Sequence, residues 1–239
     1  IGQSEPDAPP NLFLLEGGGI FDIGQGDSFS EHAPALSPDG QMLAFIGRNE
    51  AGMGTLYLFD VASGAYRTLF IDGLGVALTN DPIAWDDDGL SLYFTALSTD
   101  GGTDIYRLAV DRPGTFPELF LADASQPALT QDGLLMAFVR GGAIRVRFLD
   151  TGDEYALTEI DTDTVCSAPF FDANGLDLYF ICRQGEDSRL YRQGAAGLEE
   201  ISLNVSPIAT VGAGPISDSL LIGDGTALFV VHLFHGLAR

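Results

Sequence analysis

Ser37-Pro38-Asp39-Gly40-Gln41-Met42-Leu43-Ala44-Phe45 sets a short acidic turn against a strand, and the chain repeats that arrangement four more times. The later turns are Asp86-Asp87-Asp88-Gly89, Thr130-Gln131-Asp132-Gly133, Asp172-Ala173-Asn174-Gly175 and, in a laxer form, Ile222-Gly223-Asp224-Gly225. Asp, Asn and Ser bond to their own backbone and Gly accepts a positive φ, so such turns join antiparallel strands. The third residue after each glycine is Leu43, Leu92, Met136, Leu178 or Leu228, and the fifth is Phe45, Phe94, Phe138, Phe180 or Val230. A period of two marks one buried face. The glycines lie 49, 44, 42 and 50 residues apart, the spacing of propeller blades rather than of one continuous sandwich.

Third strands open at Leu56-Tyr57, Ile105-Tyr106 and Leu190-Tyr191, and the third unit has Ile144 to Leu149 there, with Arg145 and Arg147 alternating outward. Fourth strands fit residues 66–70, 117–121, 154–157 and 198–201. The fifth unit runs out of chain after Phe234, while Leu12 to Leu15 and Ile20 to Ile23 flank a glycine turn and lack a sheet. The expected fold is therefore all-β: a five-bladed β-propeller of four-stranded blades, with residues 12–23 pairing with residues 217–234 to close the last blade and leave no open edge. Residues 12–239 are expected to form a single domain behind a polar, proline-rich tether at 1–11. The first residue is Ile1, which a removed leader or a trimmed chain would explain.

At 239 residues and 46% hydrophobic, the chain can bury a sizeable core, and no stretch approaches the roughly 18 apolar residues of a membrane-spanning helix. Its 34 acidic residues face 11 basic ones, all Arg, for a net charge of -23. That field excludes nucleic acid and acidic membrane as partners, since phosphate binding draws on clustered cations. It suits a protein with a basic surface, or metal ions, or serves solubility alone. Cys166 and Cys182 fall on the first and second strands of unit four and face each other to within one residue. A disulfide fits, because facing residues in an antiparallel pair lie within bridging distance; two neighbouring buried thiols are the alternative. A bridge implies an oxidising compartment.

The run from Ala33 through Ser37-Pro38-Asp39-Gly40 to Phe45, followed by Leu56-Tyr57-Leu58-Phe59-Asp60 and Ser63-Gly64, resembles the TolB-like, WD40-like β-propeller repeat. Units two to four are drifting copies and unit five a weak one. The resemblance implies an exported protein of the periplasm or cell envelope that binds another protein through one face. The same repeat also caps prolyl-oligopeptidase-like enzymes, but the chain has no Gly-x-Ser-x-Gly elbow. A monomer is expected.

In a propeller the loops entering the innermost strands surround one mouth of the central channel. Those loops contribute Glu31, His32, Asn80, Asp81, Asp123, Gln126, Asp161, Asp163 and Asp218. Carboxylates held close together favour a cation between them, so the mouth is expected to receive cationic side chains, with no cofactor required and a divalent cation as a further occupant. Two other readings share these residues. Asp81, Asp123, Asp163 and Glu31 could supply the acid and base of a central-channel glycosidase, although the chain's one tryptophan, Trp85, reads as core rather than as a sugar platform. His32 and His235 could join Glu31 around Zn or Ni. Asp86-Asp87-Asp88 lacks the spaced ligands of a calcium loop and reads as a turn.

Overall fold

The computed structural model describes residues 12–16, 19–24, 29–73, 76–112, 114–158, 163–172, 174–201, 210–213, 219–223 and 228–232. The tether and His235 lie outside them. The chain falls into two compact units, Ile1–Pro127 and Ala128–Arg239.

Unit one begins with a hairpin, β1 (Phe13–Glu16) and β2 (Gly19–Asp22), which forms a sheet of its own. Next come β3 (Phe29–Leu36), β4 (Met42–Asn49), β5 (Gly54–Asp60) and β6 (Tyr66–Ile71), antiparallel and in sequence order. The second sheet has a broken first strand, β7 (Ala77–Leu78) and β8 (Ala84–Trp85), both pairing with β9 (Ser91–Leu97), followed by β10 (Thr103–Ala109) and β11 (Glu118–Leu121). Strand β12 (Ser125–Leu129) carries the chain into unit two and forms a sheet with β13 (Leu135–Arg140), β14 (Ala143–Phe148) and β15 (Glu154–Ala156). Then follow β16 (Thr164–Phe171), β17 (Leu178–Gln184), β18 (Asp187–Gly194) and β19 (Gly197–Ile201), and a three-stranded sheet of β20 (Thr210–Ala213), β21 (Ser219–Gly223) and β22 (Leu228–His232). The described residues are thus all-β, built from four-stranded antiparallel sheets of the kind that make propeller blades. They contain no helix long and apolar enough to cross a membrane.

The acidic turns form as their chemistry dictates. Gly40, Gly89, Gly133 and Gly175 have φ of 72°, 68°, 66° and 68°, where a side chain would strain the backbone. In the first, the Ser37 hydroxyl donates to Asp39 Oδ1 at 2.6 Å and accepts from the Met42 N–H at 2.9 Å; Thr130 repeats both contacts with Asp132 and Leu135. These bonds hold the Asp39 and Asp132 carboxyls below their usual range.

The cores follow the period of two. In unit one, Ala44, Ile46, Leu56 and Leu58 of the first four-stranded sheet bury against Leu92, Phe94, Ala96 and Leu108 of the next. Trp85 is indeed core, its indole N–H donating to the Ala35 carbonyl at 2.8 Å. In unit two, Ala137, Val139, Ile144 and Val146 pack against Leu178, Phe180 and the cysteines. The phenylalanine of each second strand stacks on the tyrosine of the third: Phe45 on Tyr57, Phe94 on Tyr106 and Phe180 on Tyr191, with centroids 5.4, 6.3 and 5.7 Å apart. In the sheet of β12–β15, Arg145 stands opposite Phe138 instead. Arg145 and Arg147 are not simply solvated outward residues. With Arg140 they converge on Glu154, which ties β13, β14 and β15 together.

Cys166 and Cys182 face each other in register and are bonded, their Cα atoms 4.0 Å apart. The Cys166 N–H donates to the Gly142 carbonyl rather than across to β17, so the pair occupies a narrow, non-hydrogen-bonded site of the ladder.

The last unit departs from its expected phase. Strand β20 precedes β21, so the Gly225 position of the sequence repeat falls after the second strand of that sheet instead of the first. Among the described pairings, β1 and β2 bond only to each other, with Ile23 N–H donating to the Leu12 carbonyl at 3.0 Å.

Candidate binding site

The expected mouth residues divide into those held in strands and those left in turns. Glu31 and His32 do not lie in an entering loop; both are within β3, and Glu31 is fully buried. His32 Nε2 lies 2.9 Å from Ser30 Oγ, and burial together with the Arg48 guanidinium lowers its pKa.

Arg48, on β4, was not foreseen and organises this end of unit one. Its Nε donates to Asn80 Oδ1 at 2.6 Å, and its other nitrogens donate to the carbonyls of Leu78 at 2.5 Å and Gly52 at 2.9 Å. Asp72 lies 3.7 Å away and accepts from the N–H groups of Leu78 and Gly54 at 2.7 and 2.6 Å. A charge-assisted network of this kind fixes the chain between two sheets more firmly than neutral bonds do. Nothing in the local sequence marks Arg48, because its role depends on the approach of a neighbouring sheet.

Asn80 and Asp81 occupy the break between β7 and β8, where Pro82 removes a ladder donor. Asp81 Oδ2 accepts from Thr79 Oγ1 at 3.0 Å, and its Oδ1 accepts from Gln126 Nε2 at 3.3 Å. Two expected residues 45 positions apart therefore meet. Gln126 is held by its own N–H, which donates to Thr95 Oγ1 at 2.9 Å, and by a φ of 55°. Ala33 and Ala168 adopt the same left-handed conformation, and all three precede a proline within a first strand. A bulge accompanies the turn of the chain in β3 and β16.

Asp123 is exposed in the turn before β12, its N–H donating to Asp104 Oδ1 at 2.8 Å. In unit two, Asp163 is exposed directly before β16. Asp161 and Asp218 lie outside the described residues, as does the His235 of the expected histidine pair.

Among the described residues, Asp86, Asp87 and Asp88 bring carboxylate oxygens within 4.8 Å of one another. They form the hairpin turn into β9. Asp86 receives Arg107 at 3.2 Å, and Asp88 Oδ1 accepts from the Leu90 N–H at 2.8 Å. Burial raises the Asp86 pKa and pushes the neighbouring Tyr93 phenol up to about 12.

No family model and no curated protein matches the sequence. Solved structures do match. A TolB from Agrobacterium tumefaciens aligns with a TM-score of 0.70 at 19% identity over 89% of this chain and 79% of its own. The TolB of Acinetobacter baumannii aligns at 0.63 and 21%, over 86% of this chain and 54% of its own. An oligogalacturonate lyase in complex with manganese aligns at 0.67 and 12%, over 95% of this chain and 69% of its own. The fold is that of a TolB-like β-propeller.

Proposed function

We propose that residues 12–239 form one five-bladed propeller domain, closed by pairing of the β1–β2 hairpin with the C-terminal strands. It acts as a monomeric, non-catalytic module of the periplasm or cell envelope and binds a protein with a basic surface through its acidic mouth. The observation that carries this reading is how the carboxylates are held. Asp81 is fixed by Thr79 and Gln126, while Asp123 and Asp163 stand exposed, an arrangement that offers acceptors to lysine and arginine. The net charge of -23 steers a cationic partner toward such a surface. The Cys166–Cys182 bond supports an oxidising compartment.

The test uses the chain as bait in an envelope extract. Basic proteins retained by the wild type should be released by Asp81→Asn combined with Asp163→Asn, with the fold unchanged. The difference should shrink at high salt, because exposed charges are screened beyond about 8 Å at physiological ionic strength. Retention that survives the double change moves the site elsewhere. Cleavage of an oligogalacturonide that vanishes in the double variant would replace this reading with a glycan-processing one, with or without a divalent cation, as the manganese-bound lyase suggests.

A further inference from the structure

Each unit contains a junction between neighbouring four-stranded sheets, and the two junctions are filled differently at their hairpin-turn ends. In unit one, Trp85, Leu108 and Val110 are all buried there, with Met42 and Leu69 packed against them. Arg67 closes the junction by donating to the Val110 carbonyl at 2.8 Å. The registers place the counterparts in unit two. Phe171 faces Leu178 as Trp85 faces Leu92, Gln193 faces Leu178 as Leu108 faces Leu92, and Tyr155 faces Val146 as Arg67 faces Leu58. Ala195 follows Gln193 at the interval by which Val110 follows Leu108. Trp, Leu and Val thus give way to Phe, Gln and Ala.

At this end of the unit-two junction lies a cleft of about 630 Å³ with an apolar floor of Leu135, Val146, Leu157, Phe171 and Leu178. Its lip carries Leu176, 78% exposed, and Tyr155, 44% exposed, which leans on the equally prominent Phe148 at 6.1 Å. Side chains of this size in water mark an interaction surface when they rim a recess. Asp172 and Asp177 also line the cleft, and its one cation, Arg192, is held by Asp177 at 2.7 Å and Glu199 at 2.8 Å. Two lining carboxylates against one guanidinium, which Glu199 also engages from outside the cleft, leave the rim negative.

We propose that this cleft docks an extended peptide segment of a partner protein, which inserts a large aliphatic or aromatic side chain between the two sheets and sets a lysine or arginine against the rim. The recess takes a few large side chains, the central anchor and polar rim typical of a binding hot spot. The rim charge disfavours anionic ligands. A second copy of the chain is disfavoured too, because 34 acidic residues against 11 basic ones would bring like charge to like. The cleft is independent of the acidic mouth: Asp163 precedes the eight-residue β16 and Asp172 follows it, a separation of about 25 Å.

Anisotropy with a fluorescein-labelled hexapeptide of phenylalanine and leucine flanked by arginines tests this. The expected result is saturable binding by the wild type, weakened about tenfold or more by Leu176→Asp at the lip and by Ala195→Trp in the cleft, a loss of at least one decade in Kd. Leu176 is largely exposed, so its variant keeps the fold even if Ala195→Trp does not. Leu176→Asp should weaken peptide binding by the same factor in the Asp81→Asn, Asp163→Asn background as in the wild type, which separates this cleft from the mouth. No binding, equal binding by Leu176→Asp, or equally tight binding of a glutamate-flanked peptide overturns the proposal. So does self-association of the wild type that Leu176→Asp abolishes, since a second copy would then own the cleft.

Discussion

Ala168 sits at φ 54° immediately before Pro169, in a region that costs a residue with a Cβ about 1–2 kcal/mol. Glycine removes that cost but gives back about 0.5–1 kcal/mol of unfolded-chain entropy. Ala168→Gly should therefore be neutral to stabilising by up to about 1.5 kcal/mol in urea unfolding; a clear destabilisation would contradict the left-handed conformation. The turn aspartates give a second residue-scale expectation. Because the Ser37 hydroxyl depresses the folded pKa of Asp39, that bond contributes stability above the unfolded carboxyl pKa and loses it as pH falls through the folded one. Ser37→Ala should be less stable than the wild type at pH 7, and the gap should narrow on acidification. A remainder persists from the lost bond to the Met42 N–H. A gap that widens toward low pH would reverse the assignment.

At the scale of elements, the disulfide joins the first two strands of the sheet β16–β19 across 16 positions. Replacing both cysteines with serine should cost about 3 kcal/mol, the loop-closure entropy of a ring of that size. Hydrogen exchange should then rise first in β16 and β17; unchanged protection there would show that the bond adds nothing to packing. The cysteine pairing was legible because hairpin arithmetic from a known turn fixes which residues face each other. The acidic turns were legible for the same reason, their chemistry lying in four adjacent residues. What escaped depends on distant neighbours. Ala33, Gln126 and Ala168 precede prolines, but the sequence alone does not say that the chain bulges there into positive φ. Strand β20 contains Gly212 and no alternating pattern, so the last unit's phase was misjudged. Of the candidate site, Asp81 and Gln126 share a hydrogen bond, whereas Glu31 is buried and Arg48, which anchors Asn80, carries no local signature.

At the scale of the molecule, the hairpin β1–β2 is the element on which the proposed closure of the ring turns. Leu12 and Ile23 are buried against Phe45 and Phe59, and the Tyr66 hydroxyl donates to the Ile23 carbonyl, so the hairpin covers one face of the sheet β3–β6. Removing residues 1–24 uncovers two phenylalanines, each worth about 1.5–3 kcal/mol when buried. The local effect alone should lower stability by several kcal/mol. If the hairpin also pairs with the C-terminal strands, its removal opens an edge there as well. Protection from hydrogen exchange should then fall together in β3–β6 and in β20–β22, with one lowered thermal transition for the chain. Loss confined to β3–β6 would refute the closure while leaving the packing of Leu12 and Ile23 intact. Unchanged unfolding would refute both.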